Sequence, residues 1–207
     1  MEIFTIGYSG FTIDSFVYTL KQFDIKCVVD VRSIPFSKFH PDYNKDFLCK
    51  VLNENKILYR HYANEFGARQ NDHSFYDEDG ILDFHKFIAS EQFQSGISKV
   101  ENGIQIGYSF AMMCAEKDPI NCHRSIMVGQ GFKKSGFSVK NIIDENRYES
   151  QEALEDRLLD MYFADRNQLS IFDLSIIPPN ESDLINRGYV KRNKEIGFRI
   201  NNLAEEN

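Results

Sequence analysis

The sequence lacks the features that mark several common classes of protein. None of its 207 residues fall in an apolar run near the roughly 20 residues that a membrane helix requires. The opening residues, MEIFTIGYSG, have no basic-then-apolar leader profile and read directly as a first strand. Basic side chains are in deficit, 24 against 31 acidic, for a formal net charge of −7. That excludes a generally basic nucleic-acid coat and leaves room for a local basic pocket. Cysteine is scarce, and Cys27, Cys49, Cys114 and Cys122 form no tight CxxC pair, so free thiols in a reducing cytoplasm are expected. The dinucleotide and P-loop glycine patterns are missing, and Gly7-Tyr8-Ser9-Gly10 alone is a weak phosphate-cradle signal. No Arg stands six positions after Cys114 or Cys122, which removes the phosphatase and rhodanese loops. There are no internal repeats and no low-complexity segments. What is present is an ordinary globular mixture, 42% hydrophobic and 27% charged, and 18 Phe supply ample apolar mass for a core.

Short apolar runs alternate with helical periodicity about five times. Strands are expected over 2–6, 25–31, 57–61, 108–114 and 137–143. Between them, helices are expected from a Thr12 cap through Phe23, through Phe47 to Leu52, over 83–92, and from an Asn121 cap through Cys122-His123-Arg124 towards Gly136. The second strand is apolar on both faces, as in a parallel sheet covered by helices on both sides. The pattern predicts an α/β fold: three layers, α/β/α, with a mainly parallel sheet of about five strands and a C-terminal helical extension. Residues 1–149 form the α/β domain in this reading, and 150–207 pack on it as an extension. The extension holds an amphipathic helix over 150–163, an apolar stretch over 168–177 and a basic run of Arg187, Lys191, Arg192, Lys194 and Arg199. Residues 62–79 make a long polar connection of the kind that often serves as a lid.

Ligands of open parallel sheets bind beyond the carboxyl ends of the strands, which filters the candidates by position. Gly7, Ser9 and Gly10 follow the first strand, Asp30, Arg32 and Ser33 the second, and Cys114 and Glu116 the fourth. Cys122, expected in the first turn of a helix, would gain thiolate character from the dipole, and the same helix start favours an anion. Arg32 and Arg124 supply fork-shaped donors for phosphate or carboxylate. Glu116 and Asp30 follow apolar strands, where burial raises a carboxyl pKa towards the range of proton transfer, and His123 is a candidate base. Ser37-Lys38 and Arg69 lie on loops able to close over the pocket. A metal centre is not expected from Cys114, Cys122 and His123: the spacing fits no common zinc module, and adjacent Cys and His side chains on a helix splay apart.

These residues resemble the domain of unknown function 488 family. The matching pieces are Thr5-Ile6-Gly7-Tyr8-Ser9, Val29-Asp30-Val31-Arg32-Ser33 with Pro35 and Ser37, and Met113-Cys114-Ala115-Glu116-Lys117-Asp118-Pro119 leading to Cys122-His123-Arg124. Tyr59 and Phe66-Gly67-Ala68-Arg69 resemble the family's middle segment, which more usually carries Leu-Gly-Gly. Lys38 stands where Arg usually follows the serine. The likeness spans about residues 3–145 and implies a compact α/β domain in soluble intracellular proteins of bacteria or archaea. It implies no reaction.

Two functional readings follow. In the first, an enzyme carries out hydrolysis or group transfer on a phosphate-bearing or otherwise anionic substrate, a nucleotide or nucleic acid foremost. Arg32 and Arg124 hold the anion with help from Gly7, Ser9, Ser33, Ser37, Arg69 and Cys114, while Glu116, Asp30, His123 or Cys122 does the chemistry. No cofactor fingerprint appears, and no membrane partner is expected. Glu116→Gln and Arg32→Ala should then abolish turnover and leave the fold intact. In the second, the same pocket is a non-catalytic module for an anionic small molecule or nucleic acid, with the basic run touching a partner. An open cleft where Asp30, Arg32, Glu116 and Arg124 converge favours the first; closed ion pairs favour the second.

Overall fold

The computed structural model describes residues 1–167 and 180–200. Five parallel strands, β1 (Glu2–Gly7), β2 (Cys27–Asp30), β3 (Leu58–His61), β4 (Phe110–Cys114) and β5 (Ser138–Ile142), form one sheet with a short edge strand, β6 (Tyr148–Ser150). The order is β3-β2-β4-β1-β5-β6, and β6 alone runs antiparallel, against β5. The expected sheet therefore gains a sixth strand, too short to show a period in the sequence. Both faces are apolar, as β2 foretells. Val29, Met112 and Cys114 point into one core, while Val28, Ala111 and Met113 point into the other.

Helices α1 (Ile13–Gln22) and α2 (Lys45–Glu54) cover the second of these faces through Phe16, Leu20, Leu48 and Leu52. Thr12 caps α1 as expected, its side chain accepting from the Ser15 N–H at 3.2 Å. The opposite face is covered by α3 (Ala63–Phe66), α4 (Phe84–Ile88), α5 (Glu91–Gln105), a π-helical segment Arg124–Gly129, α6 (Gln130–Lys134), α7 (Gln151–Tyr162) and α8 (Glu181–Ile196).

The single helix expected over 83–92 is two. The first stops at Ala89, and Ser90 then caps α5 by accepting from the Phe93 N–H at 3.2 Å. The long helix α5 escapes a propensity reading because Gly96 and Gly103 interrupt it, although Phe93, Ile97 and Val100 keep the helical spacing. Gly96 is there for clearance, since a Cβ would come within 2.7 Å of the Phe66 ring.

Asn121, expected as a helix cap, instead ends a 3-10 turn, Pro119–Asn121. Cys122 is extended (φ −134°, ψ 136°) and its carbonyl receives the N–H groups of Ser125 and Ile126, so the helix is entered one residue later and as a π-helix. π-helical turns are rare and cluster at functional sites.

The C-terminal segment is knitted into the domain. The Asn193 side chain accepts from the Phe84 N–H and donates to the Leu82 carbonyl, both at 2.8 Å, and Leu82 N–H donates to Phe198 O at 3.0 Å. The basic run is mostly engaged within the molecule: Arg187 and Lys191 lie over the Phe163 ring, Arg192 bonds Ile120 O and Glu195, and Lys194 bonds Asp77 and Asp79. The apolar stretch over 168–177 lies outside the described residues. No helix among the described residues is long and apolar enough to cross a membrane.

Candidate functional site

Strands β2, β4 and β1 are neighbours, with Asp30 in register with Met113 and Gly7 with Cys114. Their carboxyl ends therefore deliver Arg32, Cys114 and Tyr8 side by side. This rim is the floor of a cleft of about 740 Å³. Its walls are the Ser33–Phe39 loop, Ala68-Arg69, the Ala115-Glu116 turn with Asn121 and His123, and two residues from the C-terminal segment, Ile196 and Phe198. Of the residues expected at the site, Arg32, Ser33, Ser37, Arg69, Cys114, Glu116 and His123 line this cleft.

The other five stand behind it. Asp30 is fully buried and bound to its own neighbour: its carboxylate receives Arg32 Nε at 2.9 Å, Arg32 Nη2 at 2.6 Å and the Tyr59 hydroxyl at 2.7 Å. Arg32 also donates from Nη2 to Tyr43 O at 2.8 Å, which leaves its Nη1 edge towards the cleft, 3.5 Å from the Tyr8 hydroxyl. Burial opposes the Arg32 charge, but the bond to Asp30 outweighs it, so the pKa rises and the guanidinium is fixed as a cation. Arg124 is fully buried and donates to the carbonyls of Glu116 at 2.5 Å and Lys117 at 3.2 Å. Its fork shapes the turn and does not face the cleft. Gly7 serves the same turn: a Cβ there would overlap the Glu116 carbonyl oxygen. Ser9 extends the ladder, its N–H donating to Ala115 O at 2.9 Å. The site thus holds both an open cleft with Arg32 and Glu116 and the closed Asp30–Arg32 pair beneath it.

Cys122 lies just under the surface, its Sγ sharing a hydrogen bond with Glu116 Oε2 at 2.6 Å. The extended backbone at Cys122 matters here. Because Cys122 precedes the helix and His123 begins it, the two side chains do not splay. The Sγ atoms of Cys114 and Cys122 and a ring nitrogen of His123 lie within 4.8 Å of one another. His123 Nε2 donates to Val31 O at 3.0 Å, which turns Nδ1 to Cys114 Sγ at 3.8 Å. Glu116 reaches solvent through the cleft while its carboxyl end is crowded; that desolvation, with the charge and hydrogen bond of Cys122, raises its pKa. Burial opposes ionisation of Cys122, but a hydrogen bond from Cys114 and the charges of Arg124 and His123 prevail and hold it well below an ordinary thiol.

Sequence reasoning missed the apolar rim. Ile34, Phe36 and Phe39 are exposed, Phe39 at 90%. Apolar residues in a Pro-bracketed loop without period were the available signal. Ser33 and Ser37 spend their hydroxyl oxygens on this loop, accepting from the N–H groups of Arg69 at 2.8 Å and His40 at 3.1 Å. Arg69 lies over the Phe198 ring, 4.4 Å from its centroid.

A family model described as Domain of unknown function DUF488 matches residues 12–129. No curated protein and no solved structure matches the chain.

Proposed function

The chain belongs to the DUF488 family, whose description names no reaction, and from the cleft we propose an enzyme that hydrolyses or transfers a group on a phosphate-bearing substrate, a nucleotide or nucleic-acid strand foremost. One observation carries this reading: the cations Arg32, Lys38 and Arg69, the exposed rings of Phe36 and Phe39, and the Glu116 carboxyl all face the same cleft. The cations suit phosphate oxygens, with the Nη1 edge of Arg32 pre-set by Asp30. Exposed aromatic side chains on a loop rim suit the faces of bases, whose stacking contributes about 1–3 kcal/mol each. Glu116, with its raised pKa, is the proton-transfer group, and His123 stands beside it.

The closed Asp30–Arg32 pair favours a second reading, a binding module without turnover, and one variant separates the two. In a screen of nucleotides and short oligonucleotides, Glu116→Gln should bind the ligand within a few-fold of the unmodified chain while turnover falls by about 10²–10⁴. Full activity in Glu116→Gln would refute the catalytic assignment. Saturable binding with no product in the unmodified chain would favour the module.

A further inference from the structure

We propose that Cys114, Cys122 and His123 form a binding site for one zinc-class divalent ion whose open side faces the cleft. The ion goes beyond the substrate reading and stands without it. The three side chains come from two places, the end of β4 and the turn after the Pro119–Asn121 segment, yet their ligand atoms gather within 4.8 Å. Around a tetrahedral zinc, with bonds of about 2.0–2.3 Å, donor atoms stand roughly 3.5–3.8 Å apart. Cys114 Sγ and His123 Nδ1 are already 3.8 Å apart. Two thiol sulphurs and an imidazole are a soft donor set of the kind that zinc prefers over magnesium or calcium.

The surroundings fit a ligand set better than three packed side chains. Metal-bound histidines usually donate their other ring N–H to a carbonyl or carboxylate, and His123 Nε2 does so to Val31 O at 3.0 Å. In the neutral imidazole that bond places the remaining proton on Nε2 and frees Nδ1, and metal binding would displace any second proton. Cys27 gives the contrast within the same molecule. It is buried in the apolar core, and among the described residues the one hydrogen-bond partner of its sulphur is the Val28 carbonyl, at 3.9 Å. Arg124, fully buried beside this cluster, offsets the negative charge of two thiolates and a carboxylate around a divalent ion. Cys114 and His123 line the cleft, which gives the ion an entry path. A Cys2His set keeps a fourth position open, and the Glu116 carboxyl, 2.6 Å from Cys122 Sγ, is its neighbour.

The test uses the full chain, reduced, stripped of metal and desalted after addition of zinc or cobalt alone. The proposal expects one retained zinc per chain and, with cobalt, a thiolate-to-metal charge-transfer band and the strong visible bands of tetrahedral coordination. Zinc should also shield Cys114 and Cys122 from alkylation while the partly exposed Cys49 is modified either way. Cys114→Ser and Cys122→Ser should each weaken retention by at least about tenfold, and Cys27→Ser and Cys49→Ser should not. The readings on the unmodified chain need no variant to fold. No retained zinc together with no charge-transfer band would overturn the proposal. Equal retention in the Cys114→Ser and Cys122→Ser chains would overturn it as well. Nucleotide affinity plays no part in these readouts, so their failure leaves the substrate reading standing, and the reverse holds too.

Discussion

Arg32 shows how one side chain can be structural and functional at once. Three of its contacts, to both carboxylate oxygens of Asp30 and to Tyr43 O, are spent inside, and only the Nη1 edge is left for a ligand. Removing it would therefore cost stability as well as binding, where the sequence alone suggests an unaffected fold. Arg32→Ala would strand a fully buried carboxylate, and breaking such a pair from one side costs about 3–5 kcal/mol. Replacing both partners, as in Asp30→Asn with Arg32→Met, removes the stranded charge and should recover most of that loss. Urea unfolding of the single and double variants checks this; a single variant within about 1 kcal/mol of the unmodified chain would contradict it. The same reasoning explains why Arg124 cannot be assigned from its residue type. A guanidinium suits phosphate and backbone carbonyls alike, and only the position of the Glu116–Lys117 turn decides between them.

At the scale of elements, α4 and α6 meet at a titratable contact. The Lys134 ammonium approaches His85 Nδ1 at 3.4 Å, which requires that nitrogen to be unprotonated, and His85 Nε2 is buried without a partner among the described residues. Burial, with the Lys134 charge, depresses the His85 pKa in the folded chain. Below the unfolded value of about 6.5, the unfolded chain then binds more protons than the folded one, so stability falls as the pH falls through that value towards the depressed one. His85→Gln should flatten this part of the profile. Urea midpoints above and below about pH 6.5 measure it, and identical slopes in the two chains would contradict it.

The elements themselves were legible where a period or a cap marks them. Strands β1 to β5 and helices α1, α2 and α7 follow from apolar runs and helical spacing, with Thr12 marking the start of α1 by accepting the Ser15 N–H. Helix α5 was hidden by its two glycines, which serve packing that no local pattern encodes. At the site, the strand-end rule finds Arg32 and Cys114 of the floor and Glu116 of the wall, because they stand at or after the ends of apolar strands. It does not find the gathering of Cys122 with His123, which turns on a single extended residue before a π-helix. Nor does it find Ile196 and Phe198, which arrive from far along the chain through the docking of α8 by Asn193.

Over the whole molecule, charge is distributed in a way that the net value conceals. The chain carries −7, yet Arg32, Lys38 and Arg69 collect in one cleft, while several bases of the C-terminal run are neutralised by Glu195, Asp77 and Asp79 or laid over Phe163. A chain of net negative charge repels polyanions in general, while the cations of the cleft offer one place to admit them, so binding should weaken with salt by the few phosphate contacts the cleft supplies. The most direct test is calorimetric titration of a nucleoside monophosphate into the unmodified chain and into a Lys38→Ala/Arg69→Ala chain, at low and raised salt. The account predicts saturable binding that weakens with salt, at least about tenfold weaker in the variant and less salt-dependent there. Equal affinity and equal salt dependence in the two chains would contradict it.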